Sequence, residues 1–346
     1  MKSTVFFTIL FFSLTSFAKI SFNHSPSTEW ETLVRDITQK IHNLLPEDWP
    51  EIGHCQIYFI ENGNPSYKPV FRYQNQDMDI LFAQKVLVLN SSDPEVIAHE
   101  YSHFLLDDYM RKMSPAWKHF FIWVKYQNDI HETILITKKS LSSLQNTLLE
   151  FENDPTNTLN LDRLRNSIKK YKANLIELNE ALEIERKYDF SLYALSSFKA
   201  MAPYYELHAD SLAAIALENW QAMKNITIKN INDPELSKQL VLPKIEPKES
   251  AIKAFIEARN FLDNLDPNTY SYQPWEATGN YSQFAPFRSY LKRSIENDYS
   301  TNKQEFIKKF TESIVTIYEK TLLPYPENVN RTLKEKNLEL IELMNQ

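Results

Sequence analysis

The chain has 346 residues, and its 45 acidic against 38 basic side chains give a formal net charge of −7. An acidic balance of this kind has no electrostatic attraction for nucleic acid or an anionic membrane surface, so neither is expected as a partner. Three glycines (Gly53, Gly63, Gly279) leave no phosphate-cradling loop, the single Cys55 excludes an internal disulfide, and 43% hydrophobic residues suffice for a large core.

Residues 1–18 read as a signal peptide, with an uncleaved N-terminal anchor as the alternative. Lys2 gives a short positive start, Val5 to Phe12 is apolar apart from Thr8, and Ser16-Phe17-Ala18 fits a small-x-small cleavage site. No later stretch approaches the ~20 apolar residues of a membrane span, so no integral membrane segment is expected after the signal peptide. Export with one cysteine points to a bacterial periplasm or the extracellular space.

Thr28 to Leu45 predicts an amphipathic helix with Leu33, Ile37, Ile41 and Leu44 on its apolar stripe, closed by Pro46. His54 to Ile60 predicts a strand that ends in the turn residues 61–65, and Lys85 to Leu89 predicts a second. Asn90 to Asp93 offer capping side chains, Pro94 suits a first helical turn, and a helix should run to about Tyr109. That helix carries His99-Glu100-Tyr101-Ser102-His103, an H-E-x-x-H motif. Residues four apart share one helix face, so His99 and His103 can offer two imidazole nitrogens to one metal ion. Glu100 beside them can take a proton from a metal-bound water. Asp107 and Asp108 lie too close behind His103 on the same helix to complete a tetrahedron easily.

From Ile130 the apolar residues Ile134, Thr137, Leu141, Leu144, Leu148 and Phe151 follow at alternating steps of 4 and 3. Residues 153–157 break the run, and Leu161, Leu164, Ile168, Tyr171, Leu175, Leu178 and Leu182 resume it. Two heptad runs about a Pro-containing turn predict an antiparallel helical hairpin over 129–187, each arm about 35 Å long at ~1.5 Å per residue. It is either a self-packed structural element or an arm that meets a protein partner. Residues 188–222 read as helical and 225–247 as a polar loop or linker. Further helices are expected over Glu249–Leu262, Phe287–Glu296, Lys303–Leu322 and, on the surface, Leu333–Met344, with an ordered loop from Asp266 to Phe284.

A zinc site with two His from one helix needs a third protein ligand and keeps a fourth position for water. Glu206 and Asp210 stand four apart on a predicted helix, so both carboxylates face one way. One can bind the metal while the other accepts the remaining ring N–H of a ligand His. His208 is the fallback third ligand, and otherwise a helix-surface or substrate-facing side chain. Glycine and histidine are missing at the positions after His103 that a metzincin requires, where Leu106 and Tyr109 stand.

The stretch Val96 to Leu105 matches the extended zincin pattern, and Glu206-Leu207-His208-Ala209-Asp210 resembles the E-x-x-A-D segment of gluzincins, especially the CaaX prenyl protease and HtpX-like group. By that resemblance His99, His103 and Glu206 are zinc ligands, Glu100 is the general base and Asp210 the carboxylate behind a ligand histidine. The resemblance implies a zincin-like domain: α+β, predominantly helical, with a small N-terminal sheet and an active-site helix. The chain departs from that group in lacking transmembrane helices and in carrying the long hairpin. Its organisation then reads as signal peptide 1–18, N-terminal unit 19–128 with the motif helix, inserted hairpin 129–187, and helical C-terminal unit 188–346 with the third ligand.

Zinc peptidases also need a donor for the oxyanion that forms as the amide is attacked. Tyr281 and Arg288, in the stretch 279–291, are the candidates for such transition-state or substrate contacts; Tyr204 and Tyr205 are weaker ones. Cys55 beside a strand reads as core rather than nucleophile. The expected function is that of an exported zinc metallopeptidase acting on a peptide or protein substrate. The alternative is a zincin-derived binding or assembly protein that uses the hairpin, with catalysis weak or lost.

Overall fold

The computed structural model describes residues 20–23, 25–60, 65–74, 80–119, 130–152, 158–188, 190–232, 248–277, 279–324 and 330–346. The expected signal segment 1–18 and most of the expected linker (233–247) lie outside the described residues. The architecture is α+β and mainly helical, with one four-stranded sheet.

The sheet holds β1 (Ile20–Asn23), β2 (Cys55–Phe59), β3 (Ser66–Gln74) and β4 (Ile80–Leu89) in the order β1-β2-β4-β3. β1, β2 and β4 run parallel, and β3 pairs antiparallel with β4 at the edge. Helix α1 (Thr28–His42) makes the crossover that parallel strands require. Its start is capped by the Ser27 side chain, which accepts from the Trp30 N–H at 3.2 Å. Alternation sorts the strand residues: Cys55, Ile57, Leu87 and Leu89 enter the main core, while Val86 and Val88 form a small cluster on the opposite face.

The two expected strands are present, the second as the end of the longer β4. β1 and β3 were not anticipated. Pro69 and the charged Lys68 and Arg72 break the apolar signal of β3, and an edge position is where a strand tolerates proline.

Helix α2 (Pro94–Met113) follows β4 and carries the H-E-x-x-H motif. Pro94 occupies the first turn, as expected, but the Asp93 side chain makes no capping bond; it pairs with Lys229 instead. A short helical segment follows at 115–119. Helices α3 (Ile130–Glu152) and α4 (Thr158–Tyr188) form the hairpin. Every heptad position of the two runs whose burial is described is buried or half-buried, and most of the positions between are exposed. Glu152 pairs with Arg165 near the turn, while Ile130, Ile134, Leu178 and Leu182 join the main core at the base.

Helix α5 (Phe190–Ala216) runs through Pro203, at the expense of one backbone hydrogen bond, and packs on α2. Buried Ala209, Ala213 and Ala214 keep the facing surface of α5 low. Helix α6 (Ala222–Asn232) occupies the first part of the stretch expected as a polar loop; Met223, Ile226 and Thr227 give it a buried face. Helices α7 (Lys248–Ala258), α8 (Ala285–Asn297), α9 (Lys303–Ile317) and α10 (Leu333–Asn345) complete the C-terminal half, with a 3-10 turn at Pro274–Ala277 and a π turn at Tyr318–Leu322. α10, expected on the surface, exposes Lys334, Glu335 and Glu342 but buries another face in the core. Leu340 and Asn337 are fully buried, and the Asn337 side chain accepts from the Phe287 N–H and donates to the Gln283 carbonyl. No described helix is long and apolar enough to cross a membrane.

His42, at the end of α1, packs against the Tyr101 hydroxyl of α2 at 2.6 Å, and burial pushes its pKa down from 6.5 to about 4. In the unfolded chain it titrates near its ordinary value of about 6.5. Between those values the unfolded state takes up the proton and the folded state does not. The contribution is therefore complete above about pH 6.5 and is lost as pH falls toward about 4. The melting temperature of the wild type should fall across this window more steeply than that of His42→Gln. Parallel curves would remove His42 as the cause.

Candidate metal centre

The site lies where α2, α5 and the edge strand β3 meet. The i, i+4 spacing on α2 brings His99 Nε2 and His103 Nε2 to 3.1 Å from each other. Across the α2–α5 packing, Glu206 Oε2 stands 3.3 Å from His99 Nε2 and 3.5 Å from His103 Nε2. One ligand-type atom from each of these three residues lies within 4.8 Å of the other two. Glu206 Oε2 is buried and takes no well-aligned hydrogen bond.

Behind His99, its Nδ1 lies 3.0 Å from Asp210 Oδ1, at hydrogen-bond distance but off the ideal line. Asp210 is fully buried and is met by two arginines. Arg259 donates from Nη2 to Oδ1 at 2.5 Å and from Nε to Oδ2 at 3.3 Å, and Arg288 donates from Nη2 to Oδ2 at 2.9 Å. Burial works against ionisation of Asp210, but the Arg259 charge, His99 and Arg288 outweigh it and hold the carboxyl well below the usual range. Glu206 is likewise held below its range, because His103 and His99 outweigh its burial. Burial disfavours the His99 imidazolium, yet Asp210 and Glu206 outweigh it and raise the pKa to about 10. Two carboxylates thus draw positive charge onto the His99 imidazole, and a divalent cation answers the same demand by displacing the proton.

Glu100 lies one residue beyond His99 and lines the cleft. Its Oε2 accepts the Tyr67 backbone N–H of β3 at 2.7 Å, which ties the carboxylate to the edge strand. The cleft, about 300 Å³, is lined by Ser66, Tyr67, Glu100, His103, Glu206 and Tyr281 among others. The charge of Glu206, and then burial, push the Tyr281 phenol up, against the lowering effect of Arg259. The phenol therefore stays a hydrogen-bond donor at neutral pH.

The chain matches no family model, no curated protein and no solved structure. The residues themselves must therefore carry any assignment.

The structure brings His99, Glu100, His103, Glu206 and Asp210 together and places Tyr281 on the cleft. It moves three candidates elsewhere: Arg288, His208 and Tyr204. Arg288 is not a cleft residue: it is fully buried, and besides Asp210 it binds the carbonyls of Ala258 and Tyr281 at 3.1 and 2.7 Å. His208 is neither on the surface nor facing substrate. It is fully buried, its Nε2 lies 3.1 Å from Thr311 Oγ1, and its ring stacks on Phe310 of α9. Two residues of α-helix turn a side chain by about 200°, so His208 points away from the side on which Glu206 reaches His99 and His103. Burial pushes the His208 pKa down to about 3, and the ring is neutral.

Four residues of the site were missed or set aside on sequence. Arg259 follows the end of α7 and had no local signal. Tyr67 was hidden with β3. Tyr205 stacks on Trp117 and on His103, forming the wall beside the second histidine. Asp107 is not a ligand: it binds the Tyr67 hydroxyl at 2.5 Å, Arg111 Nε at 2.7 Å and Trp117 Nε1 at 2.8 Å, closing the cleft floor. Its spacing of four from His103 was the available clue. Tyr204 faces Arg331 and Phe284 instead of the cleft. Cys55 is buried in the core, and burial pushes its thiol up and out of nucleophilic range.

Proposed function

We propose that this chain is an exported zinc metallopeptidase of the gluzincin type with a zincin-like domain. The observation that carries the reading is the convergence of His99, His103 and Glu206 donor atoms within 4.8 Å, backed by Asp210 behind His99. Two imidazoles and one carboxylate are a donor set suited to zinc in a catalytic site, and the orphaned, buried Glu206 Oε2 fits a ligand atom. Bound zinc supplies Lewis acidity and lowers the pKa of a water to about 7.

In this reading Glu100, held by the Tyr67 N–H, receives the proton of the attacking water and hands it to the leaving amine. Tyr281, protonated and lining the same cleft, donates a hydrogen bond to the oxygen on which charge develops. Asp210 fixes the tautomer of His99 and raises its basicity toward the metal. The purified wild type should carry about one zinc per chain by elemental analysis, and Glu206→Gln should lose it on dialysis. A Glu206→Gln chain that holds zinc as tightly as the wild type would refute the ligand set.

A second reading is supported by the hairpin. Leu135, Ile136, Leu149 and Ile176 are large apolar side chains exposed on its two arms. A zincin-derived binding or assembly protein would use such a surface. Bound zinc without turnover of a diverse peptide library would favour this reading over the peptidase.

A further inference from the structure

We propose that Arg259 is a positioning residue of the metal centre, acting through Asp210 on His99 and itself held in place by the cleft-wall ring of Tyr281. The inference rests on the zinc-site reading above.

A lone carboxylate can rotate about its terminal torsion, which is broad for Asp. Arg288 reaches Asp210 through one nitrogen on Oδ2, which neutralises the charge but leaves that rotation. Arg259 reaches both oxygens, with Nη2 on Oδ1 and Nε on Oδ2. A two-pronged guanidinium contact fixes the carboxylate plane. That plane sets where Oδ1 stands, and Oδ1 is the oxygen 3.0 Å from His99 Nδ1. The fork is fixed in turn. The Arg259 guanidinium carbon lies 4.1 Å from the centroid of the Tyr281 ring, and the residue is only 8% exposed. One arginine already balances Asp210. A second buried cation adds desolvation cost that charge balance alone does not require, so its geometry is the better reason for its presence. The same contact joins the rear of the metal centre to the lining of the cleft.

The test uses Zn²⁺ alone as probe, on the full chain, in competition with a chromogenic chelator. Arg259→Met should weaken Zn²⁺ by about 10- to 100-fold, and Asp210→Asn by a similar factor. The double variant should be no weaker than Asp210→Asn, because Arg259 acts through that carboxylate. Tyr281→Phe, which keeps the ring, should match the wild type, and Tyr281→Leu should lose about two- to tenfold. Arg259→Lys keeps the charge without the fork and covers the case in which Arg259→Met fails to fold; it should lose affinity as well. Wild-type affinity in Arg259→Lys, or additive losses in the double variant, would overturn the inference while leaving the zinc site intact. A wild-type chain that binds no Zn²⁺ would overturn the zinc-site reading, and this inference with it.

Discussion

Glu100→Gln should keep its zinc and lose peptide hydrolysis by about 10²- to 10⁴-fold, the usual contribution of a positioned general base. The substitution is nearly isosteric. The amide oxygen it introduces can still accept the Tyr67 N–H that Glu100 Oε2 accepts at 2.7 Å, so the edge strand and the cleft wall are retained. The ligand atoms belong to His99, His103 and Glu206, and none of them is altered. What is lost is a group able to hold a proton between the attacking water and the leaving amine. Steady-state hydrolysis of a peptide library, with zinc content measured on the same preparation, separates the outcomes. Full zinc with unchanged turnover would mean that Glu100 is not the base. Loss of zinc together with activity would mean that the negative charge of Glu100, and not only its proton-accepting role, is needed to hold the site.

Arg288→Met should cost roughly 3 kcal/mol of stability, the low end for breaking a buried ion pair. The low end applies because Arg259 still holds Asp210 after the change. Even so, the side chain is fully buried, and its removal leaves the Ala258 and Tyr281 carbonyls without their guanidinium donor. Arg288 thereby joins α8 to the end of α7 and to α5 around one buried carboxylate. Against a total stability of about 5–15 kcal/mol, the loss would be plain in urea unfolding. Lys292→Met is the matched control on the same helix. Its partner Asp263 is largely exposed, so about 1 kcal/mol or less is expected. Equal midpoint shifts for the two variants would show that the buried clamp contributes no more than a surface pair.

Local spacing made much of this molecule legible. The step of four from His99 to His103 and from Glu206 to Asp210 fixes each pair on one helix face, whatever surrounds the helix. The alternating steps of 3 and 4 from Ile130 to Phe151 and from Leu161 to Leu182 foretold the hairpin, because a heptad stripe must bury itself on another. β3 escaped because an edge strand has one unpaired side and so tolerates Pro69, Lys68 and Arg72 where a central strand would not.

The role of a side chain was legible only where it depends on near neighbours in the chain. His208 and Arg288 carry chemistry that suits a cleft, and nothing beside them in sequence says otherwise. Their burial against Thr311 and Asp210 arises from helices packed 103 and 78 residues away. The sequence by itself determined which residues share a helix face and therefore which could act as a pair. The tertiary structure alone decided that the two pairs face each other, that Glu100 is tied to Tyr67, and that Asp210 sits between two arginines. The physical reason is range: helical periodicity is written within a few residues, whereas desolvation and ion pairing depend on whichever elements the core brings together.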